Sequence, residues 1–175
     1  MKNLVVVIAF LMASTVSFAQ GAFDKFEDKE GVASVIVNKK MFEMMSKVKV
    51  DAKDKEMQQY MNLLKKLDNL KVFTTSNAKL GADMKATVNS YLKSNPLEEL
   101  MRVNGDGKNV KIYVKSVANE SIVKELLMFI EGANMKDAST IVLSLTGNFN
   151  LDEISMLTEK MNLPGGDDLK KASKK

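Results

Sequence analysis

The stretch VNGDGKNV, residues 103–110, contains the residue types of a metal-binding loop. A calcium loop of the EF-hand type needs oxygen ligands at alternate positions, a glycine at the sixth position and a bidentate glutamate at the twelfth. Counted from Asn104, the fifth position is Lys108, the sixth is Asn109 and the twelfth is Lys115. Three required positions therefore carry the wrong side chain, and the stretch does not predict a calcium site.

The same stretch has the composition of a β-hairpin turn. A two-residue turn at Asp106 and Gly107 places apolar residues opposite apolar residues and an acid opposite a base. The predicted pairs are Asn104 with Asn109, Val103 with Val110, Met101 with Ile112, and Glu98 with Lys115. A slip of one residue would exchange the two faces of the strands, so this register is the one we expect.

The amino-acid inventory limits the enzymatic chemistry that the chain can perform. It contains no histidine and no cysteine. This removes the usual general base near neutral pH, the Ser-His-Asp and Cys-His nucleophiles, and the common ligands of zinc and iron–sulfur clusters. Acidic neighbours such as Glu98 and Glu99 do not face each other on a strand, and no glycine-rich phosphate loop is present. The sequence favours a non-catalytic protein without a cofactor.

Several methionines recur at helical spacing in the first half of the chain. They could supply thioether ligands for Cu(I), but the same spacing is typical of buried helical stripes in which methionine fills irregular gaps. We interpret them as packing residues, and they are Met41, Met44, Met45, Met57, Met61 and Met84. The alternative function is a carrier that holds a small apolar ligand in a methionine-lined cavity.

The N-terminus has the features of a secretory signal. Lys2 supplies a positive start, residues 4–12 form an apolar run, and Ser17 and Ala19 are small residues before a cleavage site. The apolar run is about half as long as a membrane span. We therefore expect cleavage after Ala19, with residues 1–19 removed, and a soluble periplasmic or secreted protein without a transmembrane segment.

Charge and composition separate a single domain, residues 20–162, from a tail, residues 163–175. The net charge of the whole chain is +4, and the domain lacks the basic stripe with aromatic residues that nucleic-acid binding needs. The tail has no apolar periodicity, so we expect it to be disordered. Its lysines could contact an anionic membrane weakly; they are Lys170, Lys171, Lys174 and Lys175.

The apolar pattern predicts an α+β domain of two layers, an antiparallel β-meander in the C-terminal half packed against helices mainly from the N-terminal half. Helical stripes span residues 41–48, 57–67 and 80–92, and β-branched strands span 32–37, which is expected to be buried, and 70–75. Alternation with a period of two predicts strands at 110–115 and 140–146. Residues 122–131 fit a helix or a strand, and a continuous meander favours the strand. Asn150 and Glu153 predict the capping box of a last helix.

The outer face of this meander is the predicted contact surface. An apolar centre inside a charged rim is typical of such surfaces. The candidate partner-binding residues are Leu100, Lys111, Tyr113, Lys115, Leu127, Phe129 and Val142. The partner would be another envelope protein or a second copy of the chain. The alternative is that the segment with Phe23 and Phe26, or another helix, covers this face within the monomer.

Three segments carry a family resemblance: FDKFEDKEGVASVIVNKKMFEMM, VKIYVK and SLTGNFNLDEI. In these segments the chain resembles the uncharacterised secreted bacterial family of domain of unknown function forty-two fifty-two. The resemblance implies an envelope protein of a Gram-negative bacterium with a helix-plus-antiparallel-sheet domain, and it supports a strand at residues 122–131. It implies no functional residue.

Overall fold

The computed structural model describes residues 21–105, 107–117, 122–132 and 140–172. The predicted signal peptide, residues 1–19, lies outside this part of the chain. The strands are β1 Ala33–Asn38, β2 Leu67–Thr75, β3 Glu98–Gly105, β4 Lys108–Ser116, β5 Ile122–Gly132 and β6 Thr140–Asn150. They form one antiparallel sheet in the order β1-β2-β6-β5-β4-β3. The strand predicted at residues 122–131 is confirmed as β5.

A 3₁₀ turn at Asp24–Phe26 precedes the first strand. The described α-helices are α1 Lys39–Met45, α2 Lys55–Lys66, α3 Ala78–Ser94, α4 Leu151–Lys160 and α5 Gly166–Ala172. The predicted α+β class is confirmed. So is the capping box at the start of α4, where the Asn150 N–H donates to the Glu153 carboxylate at 2.9 Å.

The larger core lies on what we name the first face of the sheet. Alternate residues of the strands, such as Leu70, Leu126 and Met128, point to this face and are fully buried. The helices that cover it are α1, α2, α4 and α5, and they contribute Phe42, Tyr60, Leu63, Leu64, Ile154, Leu157 and Leu169. This is the predicted packing of helices on the meander.

Helical elements also cover the opposite, second face. The 3₁₀ turn contributes Phe23 and Phe26, and α3 contributes Met84, Val88 and Tyr91. Phe23 stacks at a tilt on Tyr91, with ring centroids 5.4 Å apart. Ion pairs hold the turn in place: Lys25 pairs with Asp83 of α3 at 2.8 Å, and Lys71 of β2 pairs with Asp24 and Glu27. A second, smaller helical layer thus completes the domain.

The hairpin of β3 and β4 has the predicted register only near its turn. Asn104 pairs with Asn109, Val103 with Val110, and Met101 with Ile112, as expected. A register shift follows at Leu100, and beyond it Glu98 pairs with Val114 instead of the predicted Lys115. A β-bulge adds one residue to one strand, so it moves every later pair by one position.

The strand β1 lies at an edge of the sheet and is not the buried strand that was predicted. Val37 is its one buried residue, whereas Val35 is 48% exposed and Ile36 is 42% exposed. A run of β-branched residues fits a pleated surface, but it does not reveal whether the strand lies in the middle of a sheet or at its border.

The C-terminal segment is folded up to residue 172, so the predicted disordered tail of residues 163–175 is wrong for this part. Leu163 and Leu169 are buried in the first-face core, and the buried carboxylate of Asp168 pairs with Lys108. Gly165 has a φ of 79°, and a Cβ there would come within 2.6 Å of the Met128 methyl carbon. The sequence predicts disorder for this segment because two leucines, Leu163 and Leu169, are too few to produce a periodic apolar pattern. The side chains of the four tail lysines lie outside the described residues.

Candidate functional site

Three of the candidate contact residues on the sheet are core residues. Leu127 and Val142 are 0% exposed, and Phe129 is 4% exposed. All three point to the second face, where α3 and the 3₁₀ turn cover them. The expectation that these side chains form an exposed apolar centre is therefore wrong.

The other four candidates do not form a patch. Leu100 is displaced by the bulge and packs, half-buried, against the first-face core. Tyr113 is half-buried at the margin of the second-face core, where burial and the neighbouring Glu99 raise the pKa of its phenol. Lys111 is half-buried and Lys115 is exposed. The seven candidate residues therefore do not form one exposed contact surface on the outer face of the meander.

Exposed apolar side chains concentrate instead in one segment of the chain. Among the described residues, the exposed large hydrophobics are Val35, Ile36, Met41, Met44, Val48 and Val103. Five of these six fall between residues 35 and 48, on β1, on α1 or just after α1. We name residues 33–48 the β1–α1 edge. Clustered exposed apolar residues are unusual on a soluble monomer, so this edge is the candidate contact surface.

Local sequence explains how the β1–α1 edge presents its methionines. The Asn38 side chain accepts the N–H of Met41 at 3.0 Å, which ends β1 and starts α1 within one residue. Phe42 is completely buried, which fixes α1 on the first face. Met41 and Met44 lie three residues apart on the other side of this helix and are 48% and 58% exposed. The interpretation of these two methionines as buried packing residues is therefore wrong.

Within the part of the chain that the structure describes, β1 is a border strand of the sheet and pairs on one side only. Its one described strand partner is β2, and their pairing runs from Ala33 to Asn38 without a register shift. Its sequence, ASVIVN, contains no charge and no proline. The opposite edge, β3, has the bulge at Leu100 and an ion pair of 2.5 Å between Arg102 and Glu99. Charges and bulges are the usual protection of edge strands against pairing with another chain, and of the two edges only β3 has them.

Charges of opposite sign flank the two ends of β1. Residues 27–30 before the strand are acidic except for Lys29, and Lys39 and Lys40 follow the strand directly. Lys39 pairs with Asp68 at 2.9 Å, which also raises the pKa of this lysine. Glu30 and Lys40 are both exposed. The edge therefore has an acidic end, an uncharged centre and a basic end.

A second feature that sequence reasoning missed is a buried carboxylate on the second face. Glu125 is 8% exposed and accepts a hydrogen bond from the Tyr91 hydroxyl of α3. It lies opposite Lys115 on β4 and Thr146 on β6. Burial raises the pKa of Glu125, and this effect outweighs the lowering by Tyr91 and Lys115. The signal that could have revealed it is an acid directly before the apolar run LLMFI.

Residues 26–157 match the family model described as domain of unknown function (DUF4252). The chain belongs to this family. The resemblance seen in the sequence is thereby confirmed, and the match includes the β1–α1 edge and Glu125. No curated protein and no solved structure matches the chain significantly.

At one end of the match, α4 and α5 of the DUF4252 chain border an open cavity of about 360 Å³. Its lining is polar and includes Lys108, Ser155, Thr158, Asn162 and Asp168, but no methionine. It therefore does not correspond to the methionine-lined cavity that a carrier of apolar ligands would use. None of the described helices is long and apolar enough to cross a membrane.

The raised pKa of Glu125 in the DUF4252 domain predicts a specific pH dependence. A carboxyl whose pKa is higher in the folded state stabilises the fold fully below its unfolded pKa, and this stabilisation is lost as the pH rises through the folded pKa. Glu125→Gln cannot ionise at this position. We therefore expect the unfolding free energy of the wild type, relative to that of Glu125→Gln, to fall from pH 4 to pH 7. Urea unfolding of both proteins at several pH values measures this difference, and a rise with pH would contradict the prediction.

Proposed function

We propose that this chain is an exported, non-catalytic assembly module and that its contact surface is the β1–α1 edge. The observation that carries the proposal is the concentration of exposed apolar side chains on and directly after an edge strand that has no charge, proline or bulge. Such a strand offers a row of N–H and C=O groups to an added strand. The partner is a protein that contributes an extended, uncharged strand. A charged residue on that strand would lie against the apolar side chains of Val35 and Ile36.

Export and the lack of catalysis rest on the sequence. The positive start at Lys2, the apolar run of residues 4–12 and the small residues Ser17 and Ala19 support cleavage after Ala19 and release as a soluble envelope protein. The absence of histidine and cysteine supports a binding role over an enzymatic one. Methionine at positions 41 and 44 suits a contact surface, because its flexible side chain adapts to different partner shapes.

Site-specific photo-crosslinking tests the proposed surface. A benzophenone-bearing amino acid at position 35 or 44 should give discrete covalent protein adducts in cells that export the chain. The matched control is position 103, because Val103 is also an exposed β-branched residue on an edge strand, but on the protected edge. We expect few adducts or none from this position, as measured by immunoblotting and mass spectrometry.

The variant Ile36→Lys distinguishes specific pairing from random collision. A lysine in the centre of an edge strand opposes strand addition, and Ile36 is exposed enough for the fold to tolerate it. The adducts from positions 35 and 44 should therefore disappear while the circular dichroism spectrum is unchanged. Equal adducts from positions 35 and 103, or adducts that survive Ile36→Lys, would argue against the β1–α1 edge as the contact surface.

A further inference from the structure

Building on the proposed function, we infer that the strand added to β1 is β1 of a second copy. The two strands pair antiparallel about a two-fold axis perpendicular to the sheet. A contact of this kind uses the same patch on both subunits, so the patch must be complementary to itself. The charge, the register and the other edge of the sheet each support this partner.

The charges at the two ends of β1 are self-complementary only in an antiparallel pair. In that orientation, the acidic end of one strand, with the exposed Asp28 and Glu30, lies beside the basic end of the other strand, with the exposed Lys40. A parallel arrangement of two copies would place acid beside acid and lysine beside lysine. Opposite charges across a strand pair are favourable, and like charges are unfavourable.

The register follows from the faces of the strand. Directly opposite residues of an antiparallel pair point to the same face, and the two-fold axis preserves the faces, so the pairing must be centred on a residue. Centred on Val35, the strand pairs are Val35 with Val35, Ser34 with Ile36, and Ala33 with Val37. Beyond these pairs, the exposed Glu30 in the turn before β1 comes to the same end as Lys40 of the second copy, which lies in the first turn of α1. Centred on Ile36, the strand pairs would instead be Ile36 with Ile36, Val35 with Val37, and Ser34 with Asn38. Only the first register places the two exposed Val35 side chains directly opposite each other, and it is the register we infer.

The same axis brings α1 of both copies to one face. Val35 is opposite Val72, which belongs to the first-face core, and α1 packs on this face through Phe42. In the pair, α1 of both copies lies on the first face next to β1, and each α1 carries the exposed Met41 and Met44. Strand pairing thus covers part of the exposed Val35 and Ile36 at the edge of the monomer.

The other edge explains why the assembly stops at two copies. Joining two six-stranded sheets through β1 leaves β3 at both outer edges. Both outer edges then have the bulge at Leu100 and the Arg102–Glu99 ion pair, which oppose further pairing. The arrangement is therefore closed, and it produces a dimer instead of a fibre.

A charge exchange tests this arrangement by sedimentation velocity over a concentration series, with protein purified from the envelope after export. We expect the wild type to dimerise. Lys40→Glu and Glu30→Lys should each raise the dissociation constant about tenfold, since two end contacts per dimer become repulsive. An equimolar mixture of the two variants should recover the wild-type value, because every end contact in the heterodimer joins opposite charges. Lys79→Glu, the same charge change on exposed α3, is the control and should have no effect.

The other outcomes overturn the inference in distinguishable ways. A wild type that is monomeric at the highest soluble concentration, together with Val35 adducts to other proteins, would overturn the second-copy partner and leave the proposed function standing. A monomer without any adduct would overturn both. A dimer that persists in Ile36→Lys would place the interface elsewhere, and a mixture that stays monomeric would overturn the antiparallel register.

Discussion

Phe129→Ala is expected to lower the free energy of unfolding by about 3–5 kcal/mol, the usual loss when a buried aromatic side chain is removed from a core. Phe129 is 4% exposed and packs in the second-face core with Leu127 and Val142, beneath α3. The surrounding sheet and helix cannot close the space fully, so a cavity adds to the lost burial. Urea unfolding followed by circular dichroism measures the difference.

Val103→Ala provides the control for this prediction. Val103 lies on the edge strand β3 and is 37% exposed, so its truncation should change stability by less than about 1 kcal/mol. If Phe129→Ala instead unfolded like the wild type and lost only self-association, the second face would be a contact surface, contrary to its burial under α3 and the 3₁₀ turn.

The sequence does not predict that α3 packs on the second face, because the apolar stripe of an amphipathic helix does not specify which face of the sheet it contacts. The apolar stripe of α3, which includes Met84, Val88 and Tyr91, has helical spacing in the sequence and predicts the helix. A signal for two-sided burial is nevertheless present in β5, where residues 125–130 are all buried. A continuous apolar run such as LLMFI is typical of a strand covered on both faces, whereas alternation is typical of one solvated face.

The hairpin register shows both the strength and the limit of pairing rules. Near the turn, the pairing of Val103 with Val110 keeps both apolar residues on one face, and a slip of one residue would separate them. The bulge at Leu100 depends on how the strand twists within the whole sheet, and no pair of residues predicts it. A one-residue insertion is therefore enough to move Leu100 from the predicted outer face to the first-face core.

The sequence predicts the strand and the helix of the β1–α1 edge but not their exposure to solvent. The β-branched run and the spacing of Met41 and Met44 predict a strand and a helix, and both are present. Their exposure depends on the strand order, which places β1 at the border beside β2. The buried Glu125 was missed for the same reason, because its partner Tyr91 lies 34 residues away in the chain.

Removing residues 163–175 is expected to lower the free energy of unfolding by several kcal/mol. Leu163 and Leu169 are 9% and 2% exposed, and full burial of one leucine contributes about 1.5–3 kcal/mol. Their loss also uncovers Met128 and Ile130, whose side chains lie against Gly165. Thermal and urea unfolding of the truncated and complete proteins measure the effect, and a large fall in melting temperature is the expected result.

Two matched variants show which interaction is responsible. Truncation after Ala172 keeps both leucines and Asp168, so it should leave the melting temperature close to that of the complete chain. Leu169→Ser should reproduce a large part of the loss, whereas Lys108→Ala should have a smaller effect, because the Lys108 side chain is 36% exposed and solvent weakens its ion pair with Asp168. If removal of residues 163–175 left the unfolding free energy unchanged, the packing of α5 on the first-face core would be refuted, and the segment would behave as the disordered tail that its composition suggests.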